Sequence, residues 1–384
     1  GFLRMGTTAL VAQAKGRADL AAIRDHLSRS LLLAVVLGLL LCLLQQPIAN
    51  LIFSTTGASP GVENAAATYY RIRIWGAPLH LMLLAMMGYL LGQQASRYVL
   101  VLQLILNITN IILDLVFVVL LDWSVEGVAA ATLIAETVTL IAGFWILSRH
   151  FKFFSGAFNP TQIFALKAGK ALFRVNRDIM IRTLCLIFAF AWFTDQGARL
   201  GDLSLAANLI LMQFVTFSAF FIDGFAIASE SIMGEAHGKR DRQATDDIIR
   251  AAFSSGGLLA LLLSFGFFFL SPYMMWLLTS SPEVIKEARQ FSLWMVATPF
   301  VSFAAYIYDG LFIGATKTEE MRTAMIVSLF VFLAAWWLTQ SLENHGLWLA
   351  LMIYYVARAA SLWVYQQRLY DFSDHDAKTT EQTL

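Results

Sequence analysis

Charge is scarce in this chain. Only 14% of its 384 residues are Asp, Glu, Lys or Arg, and 27 basic side chains face 26 acidic ones. Such a balance leaves no basic excess to hold nucleic acid, and no aromatic-basic patch or zinc-ligand spacing accompanies it. Cysteine is nearly absent. Cys42 and Cys185 each sit inside an apolar run, which suits small buried hydrophobes and implies no disulfide framework. Alternating ten-residue strands are missing, which argues against a membrane β-barrel. No basic segment followed by a short apolar core opens the chain, so no signal peptide is visible, and a start at Gly1 suggests a cut N-terminus. There is no His-Glu-x-x-His, no nucleophile elbow and no nucleotide fold, so the reading is not an enzyme and not an ATP-driven pump. Gly234-Glu-Ala-His-Gly238-Lys239-Arg240 has only three residues between its glycines and Arg where a P-loop needs Ser or Thr for Mg²⁺. The glycosylation sequon Asn107-Ile-Thr109 falls inside an apolar run.

What is abundant is apolar surface. A hydrophobic content of 58% and a mean hydropathy of +0.66 exceed those of soluble domains of this length. An all-α integral membrane protein follows, with the lipid bilayer as its surroundings. Stretches long enough to cross about 30 Å of hydrocarbon are expected near 1–15, 30–53, 72–95, 98–121, 126–148, 176–200, 203–234, 250–278, 291–315, 322–341 and 346–368. Internal Pro78, Pro299 and Gly310 are tolerated where neighbouring helices satisfy the freed backbone groups. Most of the Lys and Arg fall in one set of alternate loops, while the other set holds Arg71, Arg73, Arg199, Lys286 and Arg289. This asymmetry puts the C-terminus and the longest loop in the cytoplasm. The acidic tail after Arg368 is expected to be disordered.

Within the run 98–121 lie Asn107, Asn110 and Asp114, spaced by three and four so that a helix carries all three on one face. A carboxylate at membrane depth costs on the order of 3 kcal/mol unless it meets a partner, water or a proton, so Asp114 is a functional candidate. The alternative is a hydrogen bond that only packs one helix on another. Later in the chain come Asp178 and Arg182, four apart and compatible with a plain intrahelical pair, then Asp195, Asp223, Glu230, Asp309 and Arg358. Asp223 has no basic neighbour in sequence, so Arg182 or Arg358 is its expected partner, in a stabilising ion pair or a second coupling site. Asp309 should face a cavity by analogy with the first half. Met82, Met86, Met87, Phe214 and Phe217 could line a surface for amphipathic cations, although most such residues serve packing.

The chain also repeats itself. Ala14-Lys15-Gly16-Arg17-Ala18-Asp19 returns 222 residues later as Ala236-His237-Gly238-Lys239-Arg240-Asp241. Gly88 and Gly92 return as Gly310 and Gly314 at the same offset, Pro78 as Pro299, and Pro47 as Pro272. Two homologous halves follow, and their matched loops on one side imply parallel repeats about the membrane normal. The expected organisation is residues 1–148, a basic cytoplasmic linker at 149–175, residues 176–368 and a tail at 369–384. Extrapolating the repeat backward predicts roughly sixty further N-terminal residues with one more helix, giving six plus six, the plan of a secondary transporter.

Gly1-Phe-Leu-Arg-Met-Gly-Thr-Thr-Ala-Leu-Val-Ala-Gln-Ala, Gly76-Ala-Pro78 with Gly88 to Gln93, Asn110-Ile-Ile-Leu-Asp114 and Asp223-Gly-Phe-Ala-Ile-Ala-Ser-Glu230 together resemble the multidrug and toxic compound extrusion family, in its DNA-damage-inducible-F branch. The resemblance implies two six-helix lobes and an N-lobe pocket formed by a first-helix Asp, Asn110, Asp114 and Thr132. That first helix has no counterpart here. Another branch of the family places a cation-binding Glu on the seventh helix, where this chain has Leu186, so that sodium site is not implied. Asp114 would then act as a proton switch, with Asn110 and Thr132 supplying hydrogen bonds and Glu136, one turn on, either extending the pocket or pairing structurally. The implied activity is a monomeric inner-membrane antiporter that exports amphipathic organic cations in exchange for H⁺ or Na⁺, without another cofactor. A flippase for lipid-linked precursors and a non-transporting scaffold are the alternatives. The first would want an Arg- and Lys-lined cavity, and the second fully paired carboxylates.

Overall fold

The computed structural model describes residues 1–55, 59–151 and 166–372. All regular structure among them is helical, in agreement with the expected class. Contacts divide the chain into two compact units, 3–172 and 173–384. The first contains α1 (Phe2–Gly16), α2 (Leu20–Leu43), α3 (Gln45–Thr55), α4 (Pro60–Arg73), α5 (Ala77–Gly92), α6 (Ser96–Asp114) and α7 (Val125–His150). The second contains most of α8 (Leu166–Arg199), then α9 (Asp202–Lys239), α10 (Arg242–Leu278), α11 (Pro282–Gly314), α12 (Thr318–Thr339) and α13 (Glu343–Val364). Eight helical stretches among the described residues are long and apolar enough to cross a membrane, the last of them comprising α12 and α13 together.

The helices begin earlier than hydropathy suggests: α2 at Leu20, α10 at Arg242 and α11 at Pro282, where spans were expected from 30, 250 and 291. Asp19 and Asp241 explain the first two. Each caps its helix by accepting from a backbone N–H three residues on, Ala22 and Ala244, both at 2.9 Å. Beyond the cap a buried stripe runs Ile23, Leu27, Ser30, Ala34 and Gly38 in α2, and Thr245, Ile249, Ala252, Gly256 and Ala260 in α10. That stripe holds each helix to its unit while charged residues occupy the other faces, so hydropathy marks only the middle of a longer element. In the same way α8 starts at Leu166, inside the expected linker, whose residues 152–165 lie outside the described residues.

The repeat is written into backbone geometry. Ala18 and Arg240 are left-handed at φ 57°, and Gln94 and Thr316 are left-handed at φ 58° and 56°, each pair separated by the offset seen in the sequence. These residues close helices α1, α9, α5 and α11. Both halves also make one tight crossing. A Cβ on Gly88 would stand 2.4 Å from the Arg4 carbonyl oxygen, and one on Gly310 would stand 2.2 Å from that of Ala226. One turn on, Gly92 faces Thr8 and Gly314 faces Glu230 in the same manner. Glycine is required there because backbone, which cannot swing aside, fills the space.

Behind the last transmembrane helix the chain does not run free. The 3-10 segment Gln366–Tyr370 buries Leu369, Tyr308 donates to Gln366 at 2.9 Å, and the Tyr370 hydroxyl donates to Asp246 at 2.5 Å. Lys317 pairs with Asp371 at 3.4 Å. This part of the expected disordered tail is therefore docked, while residues 373–384 lie outside the described residues.

Candidate functional site

In the first unit α6 and α7 pack side by side and bring together residues separated by a loop and a turn. Asn110 Nδ2 donates to Thr132 Oγ1 at 3.3 Å, and the Thr132 hydroxyl donates to the Val128 carbonyl at 2.9 Å. Asp114 is half-buried one turn beyond Asn110, and its Oδ1 is buried with no hydrogen-bond partner. No ion pair among the described residues involves it. Directly after Asp114 the helix widens into a π-turn, Leu115–Leu120, with Leu121 N–H reaching back to Val116 at 3.0 Å. Such turns recur at functional positions because they re-aim side chains at the cost of regular helix hydrogen bonding. Asn107 lies on the same helix face but is exposed.

Glu136 is paired in the structure. Only 2% exposed, it receives both terminal nitrogens of Arg73, Nη1 on Oε2 at 2.9 Å and Nη2 on Oε1 at 3.0 Å. His80 Nδ1 stands 3.1 Å from Oε1. Gly76 lies under this knot, and a Cβ there would come within 2.8 Å of Arg73 Nη1 and of Glu136 Oε2. The bidentate guanidinium thus engages both carboxylate oxygens of Glu136. Sequence spacing could not pair it, because Arg73 lies on α4 and His80 on α5.

The second unit corrects the expected pairings. Asp178 and Arg182, four apart on α8, do not bond each other. Asp178 is fully buried and takes Arg177 at 2.8 Å and Arg322 of α12 at 2.7 Å, with the Thr318 hydroxyl at 3.5 Å. Arg182 turns instead to Asp309 of α11, whose Oδ2 also accepts from Arg358 of α13 at 2.6 Å. Arg182 and Arg358, the two guanidiniums expected beside Asp223, thus both meet Asp309, which is 4% exposed. A long-range partner outcompetes an i,i+4 one here because two arginines from different helices can converge on one buried acid. Arg358 is itself enclosed by the rings of Tyr306, Tyr354 and Tyr355, at 5.4, 5.5 and 5.7 Å from their centroids. Asp223, half-buried on α9, lies within electrostatic reach of Tyr306, as do Arg182 and Arg358. Neither the tyrosine cage nor Arg322 was visible in the sequence, where aromatics are too common to single out.

The two aromatic candidates do line open space. Phe214 and Phe217 of α9, with Gln213 and Thr216 on the same helix and Met274 and Leu277 on α10, line a half-open cavity of about 290 Å³. Phe214 meets Phe267 edge-on at 5.4 Å. By contrast Met86 and Met87 are core residues of the first unit.

The chain matches the profile of the MatE family over residues 2–116 and 179–337. It is 39% identical over 364 residues to the DNA damage-inducible protein F of Escherichia coli (strain K12), covering 94% of this chain and 79% of that protein. To Protein DETOXIFICATION 43 of Arabidopsis thaliana it is 26% identical over 85% of its length, and it spans 62% of that protein. The fold matches a multidrug resistance MATE family transporter of the MOP superfamily in an outward-facing conformation, with a TM-score of 0.87 at 18% identity, covering 97% of this chain and 84% of that one. A MOP superfamily transporter from Pyrococcus furiosus gives a TM-score of 0.83 at 18% identity. By sequence and by fold, the chain belongs to the MatE family of multi-pass membrane transporters.

Proposed function

We propose that the protein is a cation-coupled antiporter that exports amphipathic organic cations by alternating access, and that Asp114 carries the coupling ion. One observation supports this above the others. Three of the four buried acids among the described residues, Glu136, Asp178 and Asp309, are tied to arginine, whereas the half-buried Asp114 is in no ion pair among them and has an unpartnered oxygen on the helix that carries the Asn110–Thr132 bond. Ionised, such a carboxylate attracts water or a cation; protonated, it is inexpensive to enclose in apolar surroundings, so occupancy couples to conformation. Asn110 and Thr132 can hydrogen-bond either state. The oxygen donors also suit Na⁺, which the experiment must separate from H⁺.

In this reading the protein works as a monomer in the bacterial inner membrane with its C-terminus in the cytoplasm, as the loop charges suggest. The cavity beneath Phe214 and Phe217 offers the apolar and amide surface that a flat cationic amphiphile would use. An anionic, lipid-linked substrate is disfavoured because Arg182 and Arg358 already serve Asp309.

Reconstituted into liposomes, the wild-type protein should move a cationic dye when a pH gradient is imposed, and Asp114→Asn should lose that coupled flux. A sodium gradient at clamped pH forms the second arm. Undiminished pH-driven flux in the variant removes Asp114 from the mechanism.

A further inference from the structure

A second cavity, of about 560 Å³, opens between the end of α8 and the end of α12, away from every candidate site above. Trp192, Trp336, Trp337, Leu333 and Arg199 are among the residues that line it. Trp336 is buried and fixed, its indole N–H donating to Gln196 Oε1 at 3.2 Å. Trp192 stacks on Phe188 at 5.9 Å, and its own indole nitrogen finds no acceptor in the protein. Trp337 is 71% exposed, a large aromatic surface left uncovered.

Arg199 lines the cavity, and Asp195, outside its lining, is bonded to two residues that line it. Arg199 Nε bonds Asp195 Oδ2 at 2.9 Å, with both side chains largely in solvent, and Gln196 Nε2 donates to the same carboxylate oxygen at 2.9 Å. An exposed i,i+4 pair of this kind contributes at most about 1 kcal/mol to the fold, so either partner can be shared with a ligand at little cost. The position is equally specific. Arg199 closes α8, and Gln340 follows the last residue of α12, so the cavity lies at helix ends, at the height where tryptophan and lipid headgroups meet. The loops there are those poor in basic residues, which face the outer leaflet.

We infer that this cavity holds the headgroup region of one zwitterionic phospholipid bearing a primary ammonium, with phosphate on Arg199, ammonium on Asp195 and acyl chains along the tryptophans. Guanidinium and phosphate form strong charge-assisted bonds, and indole rings offer both apolar cover and a face for the ammonium. Asp195 opposes an anionic headgroup and Arg199 opposes a cationic drug, so the pair selects a molecule carrying both charges. A quaternary ammonium would fit the same space but could not donate a hydrogen bond to Asp195.

Native mass spectrometry of the delipidated protein tests this directly. The protein is mixed with equal amounts of phosphatidylethanolamine, phosphatidylcholine and phosphatidylglycerol of identical acyl chains. One phosphatidylethanolamine should be retained in preference to the others. Asp195→Asn should reduce its advantage over phosphatidylcholine by about tenfold, the worth of one hydrogen bond to a charged group, while Trp337→Ala weakens both. All the substituted side chains are exposed, and thermal melts of each variant confirm intact folding. Equal retention of phosphatidylglycerol, or an adduct indifferent to both substitutions, overturns the proposal. So does displacement of the lipid by a cationic dye, which would assign the cavity to substrate.

Discussion

Asp309 shows how one atom can bind three helices. Its Oδ2 accepts from Arg182 of α8 and Arg358 of α13, while its Oδ1 and the Nε atoms of both arginines have no partner within the protein. Removing the carboxylate charge would leave two buried guanidiniums uncompensated, an effect of about 3–5 kcal/mol for a broken buried pair. Asp309→Asn should therefore lower the melting temperature in detergent markedly, whereas Asp114→Asn should leave it nearly unchanged. Equal melting shifts for the two variants would contradict the separate roles assigned to these acids. The same logic covers Glu136→Gln, which would strip Arg73 of its bidentate partner and is expected to destabilise the first unit.

Among elements, the tight glycine crossings carry the most definite expectation. At Gly310 an added methyl would collide with the Ala226 backbone, forcing α9 and α11 apart. Overpacking of this kind costs typically about 1–3 kcal/mol. A methyl added at Gly224, on the same helix as Ala226, would meet nothing within 4 Å, so alanine there gains helix propensity worth up to about 1 kcal/mol. Gly310→Ala should thus lower, and Gly224→Ala maintain or raise, the unfolding midpoint. The docked C-terminal segment gives a second test at this scale. Ending the chain after Tyr365 deletes the Tyr370–Asp246 and Lys317–Asp371 bonds. Hydrogen exchange should then rise at the start of α10, around Asp246, and unchanged protection there would show that the segment only rests on the surface.

At the scale of the molecule, the two units share a backbone plan and differ in their charges. The repeat was legible because the stretches ending at Asp19 and Asp241 and the glycine pairs recur at one offset, whereas the caps and left-handed helix ends at those places emerge only in the structure. Helix starts were less so, since hydropathy does not register a buried stripe flanked by charged faces. The polar face of Asn110 and Asp114 could be read from spacing on a single helix. The partners Arg73 of Glu136, Arg322 of Asp178 and Arg182 and Arg358 of Asp309 could not, because each comes from a helix distant in sequence and depends on how the helices pack.

The central claim under the proposed function is that Asp114 carries the coupling ion, whereas Glu136, Asp178 and Asp309 are held by arginine. Proton release on substrate binding measures it most directly. Adding a cationic dye to the purified protein in weakly buffered detergent should acidify the medium, and Asp114→Asn should bind the dye with that signal gone. Release of the same number of protons by the variant would place the exchanging group elsewhere and contradict the account.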